Sequence, residues 1–218
     1  MRRALVVTVA VGLLGACSSS NTPPLVRYYD PNGLFSARLP SANDVVVIPR
    51  QSVSSTLTLL SGVLAIPPTA SPSPSSAIGG GFLQPTSQQD VADYTVSAVK
   101  AGKVASVSDL ATTLLQQTVN AQPTLERRVI VDGLQGLLVV ADHQDSSGGY
   151  TDASAFFLFG GIGYWVRELF PLGEWDQRRD VFRQLMQSFQ LGVPAGLPAV
   201  PLTRPGLQIQ SKLAWPLG

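Results

Sequence analysis

Two stretches of the chain have the form of an apolar strand, a tight turn and a second apolar strand. In Arg128–Ala141 the two strands flank Asp132-Gly133. Farther along, Gly160-Gly161-Ile162 separates the apolar runs Ala153–Phe159 and Gly163–Phe170. Asp-Gly and Gly-Gly between apolar runs are typical of β-hairpins. Because hairpins join neighbouring antiparallel strands, this pattern favours an antiparallel sheet.

Four more segments have the composition of strands. Leu25–Pro40 contains the turn signal Asp30-Pro31-Asn32-Gly33 in its middle and predicts another hairpin. The other segments are a β-branched run at Asp44–Arg50, one or two strands around Ser61-Gly62 in Val53–Ile66, and an alternating run at Ala92–Ala98. Together with the two hairpins they predict a sheet whose strands lie mostly in hairpins.

Two segments show helical spacing. Ser108 is the predicted N-cap of a helix whose buried stripe includes Leu110 and Leu114. Glu174–Leu191 has apolar residues at steps of three and four. Arg178, Arg179 and Arg183 beside that stripe are predicted to form a solvated face, with a docking surface as the alternative. Strands in hairpins with two helices predict an α+β domain, in which the helices pack on an antiparallel sheet.

Three parts of this layout resemble the PsbP-like fold. They are the opening YYDPNGLFSARLPS, the central VIVDGLQGLLVVAD, and GYWVRELF followed by WDQRRDVFRQLMQSFQL, with its Ser-Phe near the helix end. The resemblance implies an α/β/α sandwich over about residues 25–191. The family includes photosystem II extrinsic subunits, a Ran-binding transport factor and bacterial envelope lipoproteins of the DcrB and LpqN kind. It has no shared catalytic set, so the resemblance implies no catalytic residue.

The N-terminus has the features of a lipoprotein signal. Arg2 and Arg3 precede an uncharged, mostly apolar stretch of 11 residues, which is too short to span a bilayer. Leu14-Gly15-Ala16-Cys17 resembles the bacterial lipobox, in which the Cys thiol accepts a diacylglyceryl group. We therefore predict a signal peptide at 1–16, lipidation of Cys17 and a lipidated tether at 17–24. The alternatives are an ordinary secretory signal or an apolar N-terminal helix.

Composition divides the rest of the chain. The predicted domain covers 25–191, with a Pro/Ser/Gly-rich insert at about 67–89 and a Pro-rich tail at 192–218. No charged residue occurs between Gln51 and Gln89. The apolar part of this stretch predicts core strands, and a lipid-contacting loop beside the anchor is the alternative.

Charge and cysteine content exclude several classes of function. Charged residues make up 13% of the chain, and removal of Arg2 and Arg3 changes the formal net charge from +1 to −1. This low and nearly balanced charge is unlike that of a nucleic-acid-binding surface, which needs clustered Lys and Arg. One cysteine excludes an internal disulfide framework. The predicted partners are the membrane, through the N-terminal lipid, and an envelope protein, at an extracytoplasmic location.

The most polar cluster lies between residues 142 and 152. Asp142, Asp145 and Asp152 are candidate ligands of a weak divalent cation site, because Ca²⁺ prefers several oxygens on a flexible loop. Their spacing does not match an EF-hand, and Gly148-Gly149 is ordinary hairpin chemistry. A solvated loop with an exposed His143 is the other interpretation. No cofactor is expected beyond such a cation.

Trp165 and Arg167 are the candidate ligand-binding residues. Strand alternation sends Tyr164 and Val166 to one face and Trp165 and Arg167 to the other. The second face is predicted to lie under a helix or at a binding groove.

Two functions remain open from the sequence. One is a non-catalytic, lipid-anchored binding or accessory protein that acts on an envelope complex or a small amphiphilic ligand. The other is an extracytoplasmic hydrolase that uses His143, the only imidazole, with nearby carboxylates. Convergence of His143, Asp142 or Asp152 with Glu168 in one cleft would favour the hydrolase. A clustered apolar groove free of titratable groups would favour the binding protein.

Overall fold

The computed structural model describes residues 24–48, 50–52, 57–66, 93–115, 122–145 and 148–192. The strands in these ranges are β1 (Leu25–Tyr29), β2 (Phe35–Pro40), β3 (Asp44–Ile48), β4 (Gln51–Ser52), β5 (Thr58–Ile66), β6 (Asp93–Lys100), β7 (Gln122–Val131), β8 (Leu134–Asp145), β9 (Gly148–Phe159), β10 (Ile162–Pro171) and β11 (Gln190–Leu191), and the helices are α1 (Val107–Leu115) and α2 (Trp175–Ser188). The predicted signal peptide at 1–16, lipidation at Cys17, residues 17–23 of the tether, the insert at 67–89 and residues 193–218 of the tail lie outside the described residues.

The main sheet has the order β3-β5-β6-β10-β9-β8-β7, and β4 pairs with β5. Its strand pairs are antiparallel. A second, small sheet of order β1-β2-β11 is also antiparallel, and its strands do not pair with those of the main sheet. The predicted α+β class is confirmed. The described part of the chain contains eleven strands, two of them only two residues long.

The hairpins form because their turn residues accept left-handed backbone angles. Asp132 (φ 50°) and Gly133 (φ 77°) join β7 to β8, and both φ values are positive, as a type I′ turn requires. Of the one or two strands predicted around Ser61-Gly62, the structure shows one, because β5 continues through both residues and pairs with β6. A local Ser-Gly signal is overridden there by pairing on both sides of the strand.

Alternation along the strands creates two cores. Val166 and Phe157 point to one face, which α2 and the small sheet cover; we call it the α2 face. Trp165 and Phe156 point to the other, which α1 covers; we call it the α1 face. The predicted division of β10 into two faces is confirmed.

The Ser-Phe pair at the end of α2 fixes the small sheet to the main one. Ser188 Oγ donates to Leu185 O (2.6 Å) and accepts the backbone N–H of Arg38 in β2 (2.7 Å). Phe189 is fully buried, and its ring stacks on Phe157 of β9 at 5.4 Å. The sequence motif therefore has a structural role at the junction of three elements.

Helix α1 begins two residues earlier than a cap at Ser108 requires. The hydroxyl that accepts the first-turn N–H of Asp109 belongs to Ser106 (3.1 Å), so the prediction of Ser108 as N-cap was wrong. Leu110 and Leu114 are buried against the sheet as predicted. Gly163 permits this close packing, because a Cβ there would lie 2.7 Å from Leu110 Cδ1.

Candidate functional site

The segment predicted as a solvated loop consists mainly of two paired strands. β8 runs to Asp145 and β9 begins at Gly148, with His143 opposite Tyr150. His143 is only 2% exposed, so the prediction of an exposed loop histidine was wrong. The period of two that buries Val139 and Ala141 continues through the polar residues and carries His143 into the α1 face.

A buried ion pair lies on this face. Asp152 Oδ2 accepts hydrogen bonds from Arg167 Nε (2.9 Å) and Nη2 (2.6 Å), and each residue is 1% exposed. Antiparallel pairing of β9 with β10 places the two side chains on the same face, since Arg167 lies opposite Ser154 and Leu169 opposite Asp152. Such a pair is held by charge-assisted bonds in a medium of low dielectric.

Ser154 and Trp165 complete the pair's surroundings. The Ser154 hydroxyl donates to Asp152 Oδ1 (2.5 Å) and accepts the indole N–H of Trp165 (2.9 Å). The guanidinium of Arg167 lies 4.9 Å from the centroid of the Trp165 ring, within cation–π range. The candidate ligand residues Trp165 and Arg167 are thus each 1% exposed and bonded within the sheet. Their role toward a ligand stays a prediction.

His143 borders the same cluster. Its Nε2 atom lies 3.9 Å from Asp152 Oδ2, and its ring stacks on Tyr150 at 4.4 Å with an interplanar angle of 7°. The imidazole and the carboxylate are therefore brought together, as a hydrolase would need. Because they are 2% and 1% exposed, a substrate reaches neither without displacing packed chain.

The other residues of the hydrolase hypothesis do not join them. Glu168 points to the α2 face, because it alternates with Arg167 along β10. Asp142 Oδ1 instead accepts a hydrogen bond from Thr151 Oγ1 at 2.7 Å. The structure brings His143 to Asp152 but separates both from Glu168.

Two of the three candidate metal ligands have described side chains, and these two bind different partners. Asp142 binds Thr151 and Asp152 binds Arg167, while the side chain of Asp145 is not among those described. Within the described ranges, no group of three or more His, Cys, Asp or Glu side chains is placed to hold a metal ion. The weak cation site stays a prediction.

A second ion pair, between a buried carboxylate and a half-buried guanidinium, lies on the α2 face. Glu168 is fully buried, and its Oε1 atom accepts Arg178 Nε (2.9 Å) and Nη2 (2.6 Å). Arg178 also donates to the Tyr94 hydroxyl at 2.8 Å. The prediction that Arg178 lies on a solvated face was wrong, whereas Arg179 and Arg183 are exposed in pairs with Asp176 and Asp180.

Burial changes the pKa of Glu168, the acid of this pair. Desolvation raises the pKa of Glu168 from 4.5 to about 7, although Arg178 and Tyr94 both favour the charged form. Glu168 Oε2 makes no hydrogen bond within the described part of the chain. A carboxyl with one oxygen bonded to a cation and the other in an apolar core fits a group that takes up a proton near neutral pH.

An open groove lies along β7, an edge strand of the main sheet. It has a volume of about 520 Å³ and lies between the start of α1 and the β7–β8 hairpin. Val107, Ile130 and Leu137 supply apolar lining, and Glu126 and Arg128 supply charge. The groove is therefore amphiphilic rather than free of titratable groups. The sequence does not predict this groove, because the groove depends on how α1 packs beside an edge strand.

Comparison with known proteins supports the architecture. No family model matches the sequence, and no curated protein matches it. The solution structure of cyanobacterial PsbP (CyanoP) from Synechocystis sp. PCC 6803 superimposes with a TM-score of 0.52 at 13% identity, covering 83% of this chain and 99% of CyanoP. The chain has a PsbP-like fold.

A mycobacterial protein shows a weaker likeness. LpqN, described as involved in cell envelope biogenesis of Mycobacterium tuberculosis, superimposes with a TM-score of 0.44 at 13% identity. The match covers 78% of this chain and 91% of LpqN. At these identities the PsbP-like likeness concerns the fold alone, since one fold serves many functions. No helix in the described ranges is long and apolar enough to cross a membrane.

Proposed function

We propose that this protein is a lipid-anchored, extracytoplasmic binding or accessory protein of the bacterial cell envelope, without catalytic activity. The amphiphilic groove beside β7 carries the proposal, because it is an open concave surface with apolar and charged lining. The acid–base candidates His143 and Asp152 are instead buried within the α1 face. The partner is a protein complex or a small amphiphilic ligand.

The groove suits such a partner in two ways. Ile130 is 72% exposed, the largest exposed fraction among the described large apolar side chains, and Arg128 and Glu126 lie beside it. A small amphiphile can place its chain on the apolar lining and its headgroup near these charges. β7 is also the last strand of the sheet, and the outer edge of such a strand can pair with an extended segment of a partner.

Binding to the groove is tested with a defined amphiphile. Dodecylphosphocholine, kept below its micelle concentration, should shift the methyl resonances of Ile130, Val107 and Leu137. Ile130→Asp should abolish these shifts. Val47→Asp is the matched control, because Val47 is also exposed (41%) on the edge strand at the other side of the sheet.

A protein partner is tested with the same two positions. A photo-crosslinking residue at position 130 should give a discrete adduct in intact envelopes, and one at position 47 should not. If position 130 gives neither amphiphile shifts nor a discrete adduct, the groove is not the binding site.

The anchor is tested separately. Cys17→Ala should move the protein from the membrane fraction to the soluble one, because lipid chains are needed for stable attachment. Ser18→Ala is the matched control, since it changes the neighbouring residue and leaves the thiol. Full membrane partitioning of Cys17→Ala would contradict lipid anchoring.

A further inference from the structure

The chain enters the fold at one end of the main sheet. Pro24 O accepts the backbone N–H of Ser41 (2.8 Å), so the first described residue lies beside the turn between β2 and β3. β3 begins at Asp44, which pairs with Ile66, the last residue of β5. We call this the tether end.

The starts of β6 and β9 and the end of β10 also lie at the tether end. Leu169 pairs with Asp93, the first residue of β6, and Pro171 pairs with Tyr150. Leu172, in the turn after β10, is 36% exposed at this end. A Cβ at Gly149 would touch Leu172 Cδ2, which shows how close the turn lies to β9.

The opposite end carries the hairpin turns. Gly160-Gly161 joins β9 to β10, and Ala101 donates its N–H to Gly161 O (3.2 Å). Asp132-Gly133 joins β7 to β8 at the same end, since Gly136 lies opposite Phe157. Two of the chain's three lysines, Lys100 and Lys103, lie here. We call this the turn end.

We propose that the tether end faces the bilayer and that the turn end, with the groove on its flank, points away from it. This proposal rests on lipidation of Cys17. Seven Cα–Cα steps lead from Cys17 to Pro24, and fully extended they reach about 25 Å. The ten residues of β10 span about 33 Å from one end of the sheet to the other. An inverted domain would hold Pro24 farther from the bilayer than the tether reaches.

Composition near the tether end agrees with this orientation. The chain leaves the described fold after Ile66, and no charged residue follows until Asp90. Near this end, Asp44 and Glu174 are half-buried and Asp176 is exposed, while the side chains of Asp93 and Asp145 are outside those described. Lys100 and Lys103 at the turn end are attracted to anionic lipid, so anionic vesicles test the orientation against that attraction.

Site-specific labelling tests the orientation. Ala42→Cys at the tether end and Lys103→Cys at the turn end form a matched pair, because both residues are exposed and lie outside strands and helices. Acylation of Cys17, the only native cysteine, leaves the introduced thiol as the sole labelling site. The lipidated protein is bound to phosphatidylcholine vesicles, with or without phosphatidylglycerol, that carry a short-range quencher on their headgroups.

We expect the Ala42→Cys label to be quenched at least threefold more than the Lys103→Cys label in both vesicle types. Insertion of a 15-residue Gly/Ser linker after Asn21 should reduce that difference, because the longer tether permits inversion. Equal or reversed quenching on vesicle-bound protein would overturn the orientation alone. Failure of the lipidated protein to sediment with vesicles would overturn the lipid anchor and the orientation together.

Discussion

At the scale of single residues, the neighbouring residues Arg167 and Glu168 of β10 each form an ion pair, and the two pairs lie on opposite faces of the sheet. Arg167 binds Asp152 on the α1 face, and Glu168 binds Arg178 on the α2 face. The first pair is 1% exposed or less at both side chains, whereas the side chain of Arg178 is 26% exposed. The pairs should therefore respond differently to mutation and to pH.

We expect Arg167→Met to lower the free energy of unfolding by about 3–5 kcal/mol, because it leaves the Asp152 carboxylate buried without its counter-charge. Replacing both residues, as Arg167→Met with Asp152→Leu, should recover a large part of that loss. Chemical denaturation measures both effects. Arg183→Met is the matched control, since the exposed Arg183–Asp180 pair should contribute at most about 1 kcal/mol. An Arg167→Met variant as stable as the control would contradict this account.

Glu168 predicts a pH dependence of stability. Its pKa is raised to about 7 in the folded protein and is near 4.5 in the unfolded chain, so the folded state binds the proton more tightly. The resulting stabilisation is fully present below pH 4.5 and is lost as the pH rises through 7. The full effect is on the order of 3 kcal/mol.

Glu168→Gln keeps a carbonyl oxygen for Arg178 and removes the titration. Between pH 5 and pH 8 the free energy of unfolding of the wild type should fall relative to that of Glu168→Gln. Parallel denaturation series at several pH values measure the difference between the two proteins, which cancels the other titrating groups. A constant difference across this range would show that Glu168 does not titrate there.

At the scale of elements, the close packing of α1 on β10 depends on the missing side chain of Gly163. Gly163→Ala would place a Cβ 2.7 Å from Leu110 Cδ1 and 3.0 Å from Val99 Cγ2. We expect this substitution to cost about 1–3 kcal/mol through overpacking. Leu110→Ala alone should cost about 2–5 kcal/mol, because it opens a cavity under the helix.

The double variant identifies the cause. Leu110→Ala removes the two methyl carbons that the new Cβ would meet, so Gly163→Ala should cost clearly less in that background. The coupling is measured as a double-mutant cycle by chemical denaturation. Strict additivity would mean that the cost of Gly163→Ala does not arise from contact with α1.

The elements that the sequence predicts correctly are those with local causes. The Asp132-Gly133 turn and the alternation of Trp165 with Val166 follow from backbone chemistry and a period of two, and the structure confirms both. The segment from Asp142 to Asp152 is different. Its polar residues suggest a solvated loop, and they are buried instead because Arg167, from a neighbouring strand, supplies the counter-charge.

A contact between distant parts of the chain also explains why the ion pair on the α2 face was not predicted. Arg178 lies at the edge of an amphipathic helix, where arginines are usually solvated. It contacts Glu168 and Tyr94 only because α2 packs across β10 and β6. One signal was available in the sequence: Glu168 alternates with the core residues Val166 and Phe170, and a carboxylate at such a position needs a buried partner.

At the scale of the whole molecule, one sheet serves both cores. Each central strand sends alternate residues to the α1 face and the α2 face, so neither core can persist after the strands separate. Trp165 lies in the first core and Trp175, which packs on Phe170 and Phe182, in the second. This architecture predicts one cooperative unfolding transition for the described domain.

A variant with Trp175→Phe and Trp215→Phe retains Trp165 as its only tryptophan. Its emission reports the α1 face, while circular dichroism at 222 nm of the same sample sums the helices and strands and includes α2, the longer described helix, on the opposite face. We expect the two signals to give the same denaturation midpoint and the same slope. An earlier loss of the helical signal would mean that α2 and the small sheet unfold from a main sheet that persists, with the Glu168–Arg178 pair as the first contact to break.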